Sequence, residues 1–549
     1  MQILTAAEMA ATDRRTAEQF GVPLLTLMEN AGTAVASFCL RWFTAAEKVV
    51  VVCGKGNNGG DGFVAARVLA EAGVLVRVVL LGRADEVKGE AAGALRRMRD
   101  ESPSVALDEV TDEPALRALG DALRDAELIV DAVVGTGFRP PLRGLAAIAR
   151  EMIEPLDAPV VAVDLPSGWD ADSTAQTAEG AYPADAVVTF TAPKNAHVLG
   201  HLTRSTFGPV VVAQIGSPTE AVTSTSGLHW AGSAKSIAEQ PRDVNANKGN
   251  YGHVLVVGGS YGTAGAPSMA SLAALRTGAG LVTAAVPKSI LDLVAAVAPE
   301  LMLAPLKEGE DGAATLENLT PDGLDALIQS KKISTLALGP GLSTRGEATA
   351  FARELVAKVK LPMVIDADAL NAFEGRASEI DGQGRVMVLT PHPGEMARLT
   401  GLTIKQVEAD CIGLARRFAT EHHLTLVLKG WRTLIAHPDG RIAVNTSGNP
   451  AMAKGGSGDI LTGIVAAMLA QFANSGIAGL GEADHVADAV EAAVYLHGVA
   501  GDFAAHAMDE HTVLATDTVA HLSDAFRYRT TDADGLTWIC GLNDAGLAR

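Results

Sequence analysis

The feature that most constrains the fold is a repeated alternation of short apolar segments with longer helical segments. In the first part of the chain the apolar segments are rich in Val, Leu and Ile, which is typical of strands buried on both faces of a parallel sheet. They cover residues 48–54, 75–82, 127–135, 159–168, 184–190 and 208–216. The stretches between them have helical spacing, so the pattern predicts a doubly wound α/β domain that ends with strand 208–216.

The alternation lapses between Ser217 and Gly249, and a second series of apolar segments follows. The strands predicted for this series are 253–260, 335–341, 362–368, 385–395 and 424–430. Long helical segments separate them, which indicates a second and larger α/β domain. We therefore expect domains at residues 1–219 and 220–527, followed by a polar, frayed tail at residues 528–549.

Charge and composition exclude several classes of function. The net charge of −20 repels phosphate backbones and anionic membranes, so we expect neither nucleic acid nor a membrane as a partner. No apolar run approaches the ~20 residues that a membrane span needs. The four cysteines lack the spacing of a metal site. These properties predict a cytoplasmic enzyme that holds any anionic nucleotide through backbone N–H groups, Lys or a metal ion.

The first strand runs into the glycine-rich segment GKGNNGGDGF, which opens a helix. A strand, a glycine-rich turn and a helix together make a phosphate cradle. Asn57, Asn58 and Asp61 are more polar than such a cradle requires, which favours a cation-assisted or acid–base centre. A tight polar turn with an Asx-type cap is the structural alternative.

Two further predicted strands end in carboxylates, Asp131 and Asp164, and Ser167 follows the second of them. Ligands bind at the carboxyl ends of the strands in an open parallel sheet. Asn58, Asp131 and Ser167 could therefore converge as oxygen ligands of a hard cation, with Asp164 facing a substrate. Each Asp alone is more often a turn or cap residue, but three matching strand ends favour a site.

In the second series, the segment GGSGD (455–459) precedes an apolar helix. Glycine amides at a helix start can hold a phosphoryl group, and Asp459 could then deprotonate a hydroxyl that attacks it. An acid that merely favours the helix dipole is the alternative for Asp459. Lys429 at a strand end suits a phosphate, and His392 between two prolines could contact a ligand or act as a base.

Four other polar residues of this series could bear on a metal ion. Asp366, Asp368 and Asn371 could support a hydrated magnesium ion or simply a turn, and we favour the turn. Glu395 is a better candidate for an indirect contact with a metal ion.

The motifs LMENAG (27–32), NNGGDG (57–62), DAVVGTG (131–137) and VDLPSG (163–168) resemble the YjeF N-terminal domain, the NAD(P)HX epimerase family. The resemblance implies a Rossmann-like domain, usually in a homo-oligomer, that interconverts the R and S epimers of hydrated NAD(P)H at C6. It implies a potassium ion on Asn58, Asp131 and Ser167, with Asp164 as the acid–base group. The implied substrate contacts are Asn57, Asn58, Gly59, Gly60, Asp61, Gly135, Thr136, Gly137, Phe138, Arg139, Pro140, Pro141 and Asp164.

The motifs GAP (265–267), GPGL (339–342), PHPGE (391–395), KGWRT (429–433) and GGSGD, in that order, are similar to the YjeF C-terminal domain. This is the NAD(P)H-hydrate dehydratase family, which has a ribokinase-like fold. The resemblance implies that hydrated NAD(P)H contacts Ala266, Gly341, His392 and Asp459. It implies a nucleotide site formed by Lys429, Gly430, Trp431, Arg432, Thr433 and Gly458. The fused layout resembles prokaryotic members, for which ADP is the co-substrate and Mg²⁺ the cofactor.

Together the two resemblances imply a bifunctional isomerase and lyase. The second domain would transfer the terminal phosphoryl group of ADP to the C6 hydroxyl of the S epimer, with Asp459 as the base. The ring nitrogen would then expel phosphate, which yields NAD(P)H and AMP, while the first domain rescues the R epimer.

Two other functions compete with this interpretation. A ribokinase-type small-molecule kinase fused to a nucleotide-binding domain would share GGSGD, but PHPGE and the first domain argue against it. A nonenzymatic binding protein is disfavoured because Asn58, Asp131, Asp164 and Asp459 are all present.

Overall fold

The computed structural model of the protein describes residues 1–473 and 482–543. The chain divides into one unit formed by Met1–Leu228 with the C-terminal segment from Arg529, and another formed by His229–Tyr528. Each unit is a parallel-rich sheet with helices, so the two α/β domains that the sequence predicts are confirmed. Within the described ranges, no helix is both long and apolar enough to cross a membrane.

The first unit is built on a sheet of eight described strands in the order β18-β7-β6-β5-β4-β1-β2-β3. Their bounds are β1 (Lys48–Cys53), β2 (Leu75–Leu81), β3 (Ala106–Val110), β4 (Leu128–Ala132), β5 (Val160–Val163), β6 (Ala186–Phe190), β7 (Val210–Ala213) and β18 (Thr537–Cys540). All neighbouring pairs from β3 to β7 are parallel. The chain reverses its direction of winding between β1 and β4, which is the switch point where ligands bind in such sheets.

Helices cover both faces of this sheet. They are α1 (Ala6–Phe20), α2 (Leu24–Trp42), α3 (Asn57–Glu71), α4 (Gly89–Glu101), α5 (Glu113–Ala118), α6 (Gly120–Arg124), α7 (Leu145–Ile153) and α8 (Asn195–Leu199). Successive residues of β1 alternate between two cores: Val49 and Val51 pack with α2, α3 and α4, while Val50 and Val52 pack with α5 and α7. Because both faces are buried, the strand is continuously apolar instead of alternating.

The C-terminal segment is not the frayed polar tail that the sequence predicts. Strand β18 pairs antiparallel with β7, with Trp538 opposite Val211, so 208–216 does not form the edge of the sheet. Trp538 is buried, and its ring lies 4.7 Å from that of Trp42 and 6.3 Å from that of Phe38. The prediction failed because a short strand among polar residues gives no local signal of a partner far away in the sequence.

The second unit is built on a sheet of ten described strands in the order β11-β10-β9-β12-β13-β14-β15-β16-β17-β8. Their bounds are β8 (Leu228–Trp230), β9 (His253–Val257), β10 (Leu281–Pro287), β11 (Met302–Leu306), β12 (Thr335–Leu338), β13 (Met363–Ile365), β14 (Met387–Leu389), β15 (Thr425–Leu428), β16 (Leu434–Ala436) and β17 (Ile442–Val444). Strands β9 to β15 are parallel, whereas β15, β16 and β17 form an antiparallel meander.

The helices of this unit are α9 (Gly265–Thr277), α10 (Leu291–Ala295), α11 (Ala326–Lys331), α12 (Ala348–Lys358), α13 (Ala367–Asn371), α14 (Pro393–Thr400), α15 (Ile404–Ala409), α16 (Cys411–Glu421), α17 (Ser457–Phe472), α18 (Glu482–Ala507), α19 (Ala515–Ala520) and α20 (Leu522–Arg527). Helix α17 packs on β9, β12 and β13. It is buried over most of its length, in accord with its nearly uninterrupted apolar sequence. This packing brings the glycine-rich start of α17 to the carboxyl ends of the central strands.

Candidate functional site

The first unit contains a cavity of about 920 Å³ at the carboxyl ends of β1, β4 and β5. Its walls come from the loop after β1, the loop after β4, the end of β5 and the first two helices. The cavity is large enough for a small organic ligand or part of a dinucleotide. Of the predicted substrate contacts, it is lined by Asn57, Asn58, Asp61, Gly135, Thr136, Gly137, Phe138 and Asp164.

Glycines allow these strand-end loops to touch. A Cβ atom on Gly59 would lie 1.9 Å from the carbonyl oxygen of Gly54, so the start of α3 can close on β1 only with glycine there. A Cβ atom on Gly135 would lie 2.9 Å from Asn58 Oδ1 and 3.1 Å from Asp164 Oδ2. The structure therefore brings Asn58, Gly135 and Asp164 together, as the strand-end argument predicts.

Asp131 and Ser167 form a second pair close to this point, and both are fully buried. Ser167 donates from its hydroxyl to Asp131 Oδ1 at 2.6 Å and from its backbone N–H to Asp131 Oδ2 at 2.7 Å. Ser167 Oγ also lies 3.1 Å from the carbonyl oxygen of Val134. Burial raises the pKa of Asp131 to about 6, although the hydrogen bonds from Ser167 oppose the shift.

Asp164 is held in place by three donors. Lys194 Nζ lies 2.9 Å from its Oδ1, the Thr189 hydroxyl donates to the same oxygen at 2.8 Å, and the Thr136 N–H donates to Oδ2 at 3.2 Å. The residue has a φ of +66°, which is unusual for a non-glycine residue and is common at functional sites. The β5 end and the TAPKNA segment after β6 thus converge on one buried carboxylate.

The charge of Asp164 follows from these contacts. Burial is the largest single influence and would raise its pKa, but several contacts together outweigh burial, and the pKa is lowered; the strongest of these contacts is with the ammonium group of Lys194. His197 Nε2 lies 2.7 Å from the carbonyl oxygen of Asp164, and its Nδ1 accepts from the N–H of Lys194. Burial and Lys194 lower the pKa of His197 to about 4, so this ring is neutral. Asp164 is therefore an ionised carboxylate at neutral pH.

Some predicted substrate contacts are placed elsewhere. Gly60 packs against the side chain of Met28, and Gly59 against backbone, so both serve helix packing. Arg139 is exposed and pairs with Asp170 and Asp172. Arg139, Pro140 and Pro141 are not among the residues that line the cavity.

In the second unit, the partly buried Lys429 and the buried Asp366 form an ion pair at the ends of β15 and β13. Lys429 Nζ lies 3.0 Å from Asp366 Oδ1, and the Thr462 hydroxyl donates to Asp366 Oδ2 at 2.7 Å. A Cβ atom on Gly458 would lie 3.3 Å from Lys429 Nζ. The structure thus brings the predicted nucleotide-binding residues Lys429 and Gly458 together.

Asp459 follows Gly458 in the first turn of α17. Burial raises the pKa of Asp459 to about 6, the neighbouring carboxylate of Asp366 adds to the shift, and Lys429 opposes it. Glu395 lies 3.8 Å from Lys429 Nζ and has a raised pKa, again mainly through burial. The carboxylates of Asp366, Glu395 and Asp459 therefore all interact with the ammonium group of Lys429 near the start of α17.

The remaining predicted contacts lie on loops around this cluster. His392 is half exposed, and its Nδ1 accepts from the N–H groups of Gly394 and Glu395, so it caps α14. A Cβ atom on Gly341, which has a φ of +65°, would lie 3.1 Å from the Cβ of Ala266. These two predicted substrate contacts are therefore neighbours.

The predicted nucleotide-binding loop 429–433 joins β15 to β16. Trp431 is partly exposed, and the guanidinium of Arg432 lies 4.4 Å from the centre of its ring. Arg432 Nη1 donates to the carbonyl oxygen of Thr446 at 2.6 Å, while Thr433 accepts a backbone hydrogen bond from Asn445. An exposed aromatic ring on an anchored loop is suited to stacking on a base.

Sequence reasoning missed or misjudged three residues of these sites. Lys194 lies four residues after the predicted strand 184–190, and a lysine in the loop that follows a buried strand is the signal that could have found it. Asp13 lines the first cavity from α1 and has no local motif. Asp366 does more than support a turn, because it pairs with Lys429, and Asp368 accepts from the N–H of Ser343 on a different loop at 2.8 Å.

Comparison with protein families gives two matches. Residues 24–196 match the family described as YjeF-related protein N-terminus, and residues 254–525 match the family described as NAD(P)H-hydrate dehydratase. Among solved structures, a ribokinase-like superfamily protein from Enterococcus faecalis is 28% identical, with a TM-score of 0.45 over 56% of this chain and 97% of that chain. An ADP/ATP-dependent NAD(P)H-hydrate dehydratase from Bacillus subtilis is also 28% identical, with a TM-score of 0.42 over 53% of this chain and 96% of that chain.

Curated relatives extend over almost the whole chain. A bifunctional NAD(P)H-hydrate repair enzyme from Moorella thermoacetica is 40% identical over 96% of this chain and 97% of the relative. The enzyme of the same name from Escherichia coli is 31% identical over 96% of this chain and 94% of the relative. Because both the epimerase-like and the dehydratase-like units are covered at these identities, the chain belongs to the family of bifunctional NAD(P)H-hydrate repair enzymes.

Proposed function

We propose that the first unit epimerises hydrated NADH and NADPH at C6 through Asp164. The observation that carries the proposal is the buried contact of Asp164 with Lys194, which keeps the carboxylate charged at the wall of the cavity. A charged carboxylate can take the proton of a hydroxyl or of an attacking water. The Thr136 N–H ties the loop 135–138 to Asp164, and this fixes the carboxylate beside the predicted substrate contacts.

A potassium ion fits the residues beside this cavity. Asp131 supplies a carboxylate, Ser167 a hydroxyl and Val134 a carbonyl oxygen, all close together, and the side-chain oxygen of Asn58 faces Gly135 in the same loop as Val134. Asn58, Asp131 and Ser167 would hold the ion. When bound, it would supply positive charge that orders the loops after β1 and β4. Dialysis against sodium buffer and return to potassium, with epimerase activity and thermal unfolding as readouts, tests this assignment.

The second unit, in this proposal, dehydrates the S epimer with ADP as phosphoryl donor. Asp459 takes the proton of the C6 hydroxyl as its oxygen attacks the terminal phosphoryl group, which the N–H groups at the start of α17 and Lys429 hold. The lone pair of the ring nitrogen then expels phosphate from C6 to form the N1=C6 iminium bond, and loss of a proton from C5 gives NAD(P)H. The observation that carries this assignment is the position of Asp459 and Gly458 beside Lys429.

Magnesium fits the charge of this cluster. Asp366, Glu395 and Asp459 lie near a single lysine, and Asp366 already uses its two oxygens for Lys429 and Thr462. Glu395 would therefore contact the ion through water, as Mg²⁺ retains several waters in nucleotide sites. When bound, it would neutralise charge on the transferred phosphoryl group.

One assay tests both halves. The purified chain is incubated with ADP, Mg²⁺ and a mixture of both epimers, and the absorbance of restored dihydronicotinamide is followed. We expect both epimers to be consumed and AMP and phosphate to form in equal amounts. Consumption of ATP with vitamin alcohols, and none with the hydrated nucleotides, would support the small-molecule kinase instead.

Two further expectations from the sequence stay predictions. The resemblance of the first unit to a usually dimeric family predicts a homo-oligomer, which light scattering on the purified chain tests. The scattered cysteines predict a reducing compartment and so a cytoplasmic location, which fractionation of the source cells tests.

A further inference from the structure

Helix α1 forms part of the wall of the first cavity. The strand-like segment before it pairs with the segment that carries Lys194, through a parallel bridge between Leu4 and Lys194. The N–H of Ala6 donates to Asp172 at 2.7 Å, and Thr5 caps the helix. These contacts fix the start of α1 beside the residues that hold Asp164.

One face of α1 points into the cavity, and Asp13 is its acidic member. Met9, Ala10, Asp13 and Arg14 line the cavity, as helical spacing requires for residues on one face. Asp13 Oδ1 is buried, yet it has no hydrogen-bond partner among the described residues. A buried carboxyl oxygen without a partner is costly unless a ligand or water satisfies it.

The epimerisation proposed above requires two proton-transfer groups. If the C6 hydroxyl leaves as water, an acid must protonate it, and a base must deprotonate the water that adds to the other face of the ring. Asp164 is ionised and can act only as the base. We propose that Asp13 is the second catalytic residue of the epimerase site and protonates the departing C6 hydroxyl.

The atoms of this step balance. The Asp13 proton moves to the hydroxyl oxygen, the C6–O bond breaks to release water, and the lone pair of N1 forms the N1=C6 iminium bond. Water then adds to C6 from the other face, the iminium electrons return to N1, and the water gives its proton to Asp164. Proton exchange with solvent resets the two carboxyl groups, and no redox change occurs.

Electrostatics supports this division of roles. Burial raises the pKa of Asp13 to about 6, with Asp164 adding to the shift and Lys194 and Arg14 opposing it. A pair of carboxyl groups whose pKa values are pushed apart is the usual basis for separate acid and base roles. Asp61 also lines the cavity, but burial raises its pKa well above the usual range. Of the two carboxyl groups, Asp13 is therefore the one with a raised pKa close to neutral pH.

The test compares Asp13→Asn with the parent chain and with Glu18→Gln, which makes the same kind of change at an exposed position on α1. Pure R epimer is supplied with ADP, and pure S epimer is supplied separately. We expect Asp13→Asn to lower kcat for R to S conversion by about 100-fold or more with little change in KM, because an amide cannot donate the proton. Dehydration of S epimer and the activity of Glu18→Gln should equal those of the parent.

Two readouts separate chemistry from structure. The parent epimerase rate should fall as the pH rises above about 6, and the residual rate of Asp13→Asn should lack this fall. In ¹⁸O-labelled water, the parent should place solvent oxygen at C6 in the inverted product. Epimerisation by Asp13→Asn at the parent rate, or retention of the original oxygen, would overturn the assignment. Failure of the parent chain to interconvert the epimers would overturn the proposed epimerase function itself.

Discussion

Each candidate site contains one lysine beside its carboxylates, and the two lysines have opposite effects on the proposed base. In the first unit, Lys194 touches the proposed base Asp164 and keeps its pKa low. In the second unit, Lys429 pairs with Asp366 and leaves Asp459 with a pKa raised by burial to about 6. Contact with a lysine, and not burial alone, therefore decides whether the pKa of a catalytic carboxylate is lowered or raised.

The largest expected effect is the loss of one activity from one site. Asp459→Asn should lower ADP-dependent dehydration of S epimer by at least about 100-fold, because the amide keeps the shape of the side chain but not its basicity. Epimerisation, measured by chromatography of the two epimers, should persist. Asp292→Asn, an exposed change on α10, is the control. Near-normal turnover in Asp459→Asn would remove Asp459 from the mechanism.

Asp164→Asn should give the opposite result. Pure S epimer should be dehydrated at the parent rate, whereas R epimer should accumulate because the cavity has lost its base. The two units have separate cores, so the damage should stay in the first. Equal consumption of both epimers at the parent rate would show that the β5 end does not carry the epimerase chemistry.

Lys194→Met tests the role of the lysine itself. Removing one partner of a buried ion pair leaves an uncompensated charge, so we expect unfolding of the first unit to become easier by about 3–5 kcal/mol. The pKa of Asp164 should rise, which moves the acid limb of the epimerase profile to higher pH. Denaturant unfolding and pH–rate profiles measure the two effects, with exposed Lys88→Met as the control. Unchanged stability and profile would mean that the contact does not hold the charge of Asp164.

The smallest expected effect is that the rates of dehydration and epimerisation change in opposite directions with pH, so that their pH profiles cross. Dehydration needs Asp459 as a carboxylate, and burial raises the pKa of Asp459 to about 6, so the rate should fall as the pH drops through about 6. Epimerisation needs Asp13 as a carboxyl group, so its rate should fall as the pH rises through about 6. Separate assays of the two reactions between pH 5 and pH 8, a range in which few side chains ordinarily titrate, measure the crossing. Parallel profiles would contradict the assigned charges.

Much of the fold was predictable because both sheets are built from strands buried on two faces. Continuous apolar runs such as 48–54 and 253–260 indicate such strands. Asp131, Asp164 and Lys429 lie at the carboxyl ends of other strands that were predicted in the same way. Strand β3 was missed because it lies at an edge and its sequence, ALDEV, is half polar. Edge strands lack the burial that creates the pattern.

The sites were predictable only where a residue sits in a local motif. Asn58 and Asp459 lie in glycine-rich turns and could be found from the sequence. Lys194, Asp13 and Asp366 act through partners more than 25 residues away in the chain. Their roles depend on tertiary contacts, which periodicity and spacing cannot encode.

The position of β18 has a consequence for the order in which the protein is made. A ribosome completes β1 to β7 early, but the strand that covers the β7 edge is synthesised only after residues 229–528. Until then, the rings of Phe38 and Trp42 lack Trp538, and the β7 edge presents unpaired backbone groups. The nascent first unit therefore exposes a strand edge that is open to pairing with other chains. A gene cut after Leu228 would encode a first unit that is permanently in this unfinished state.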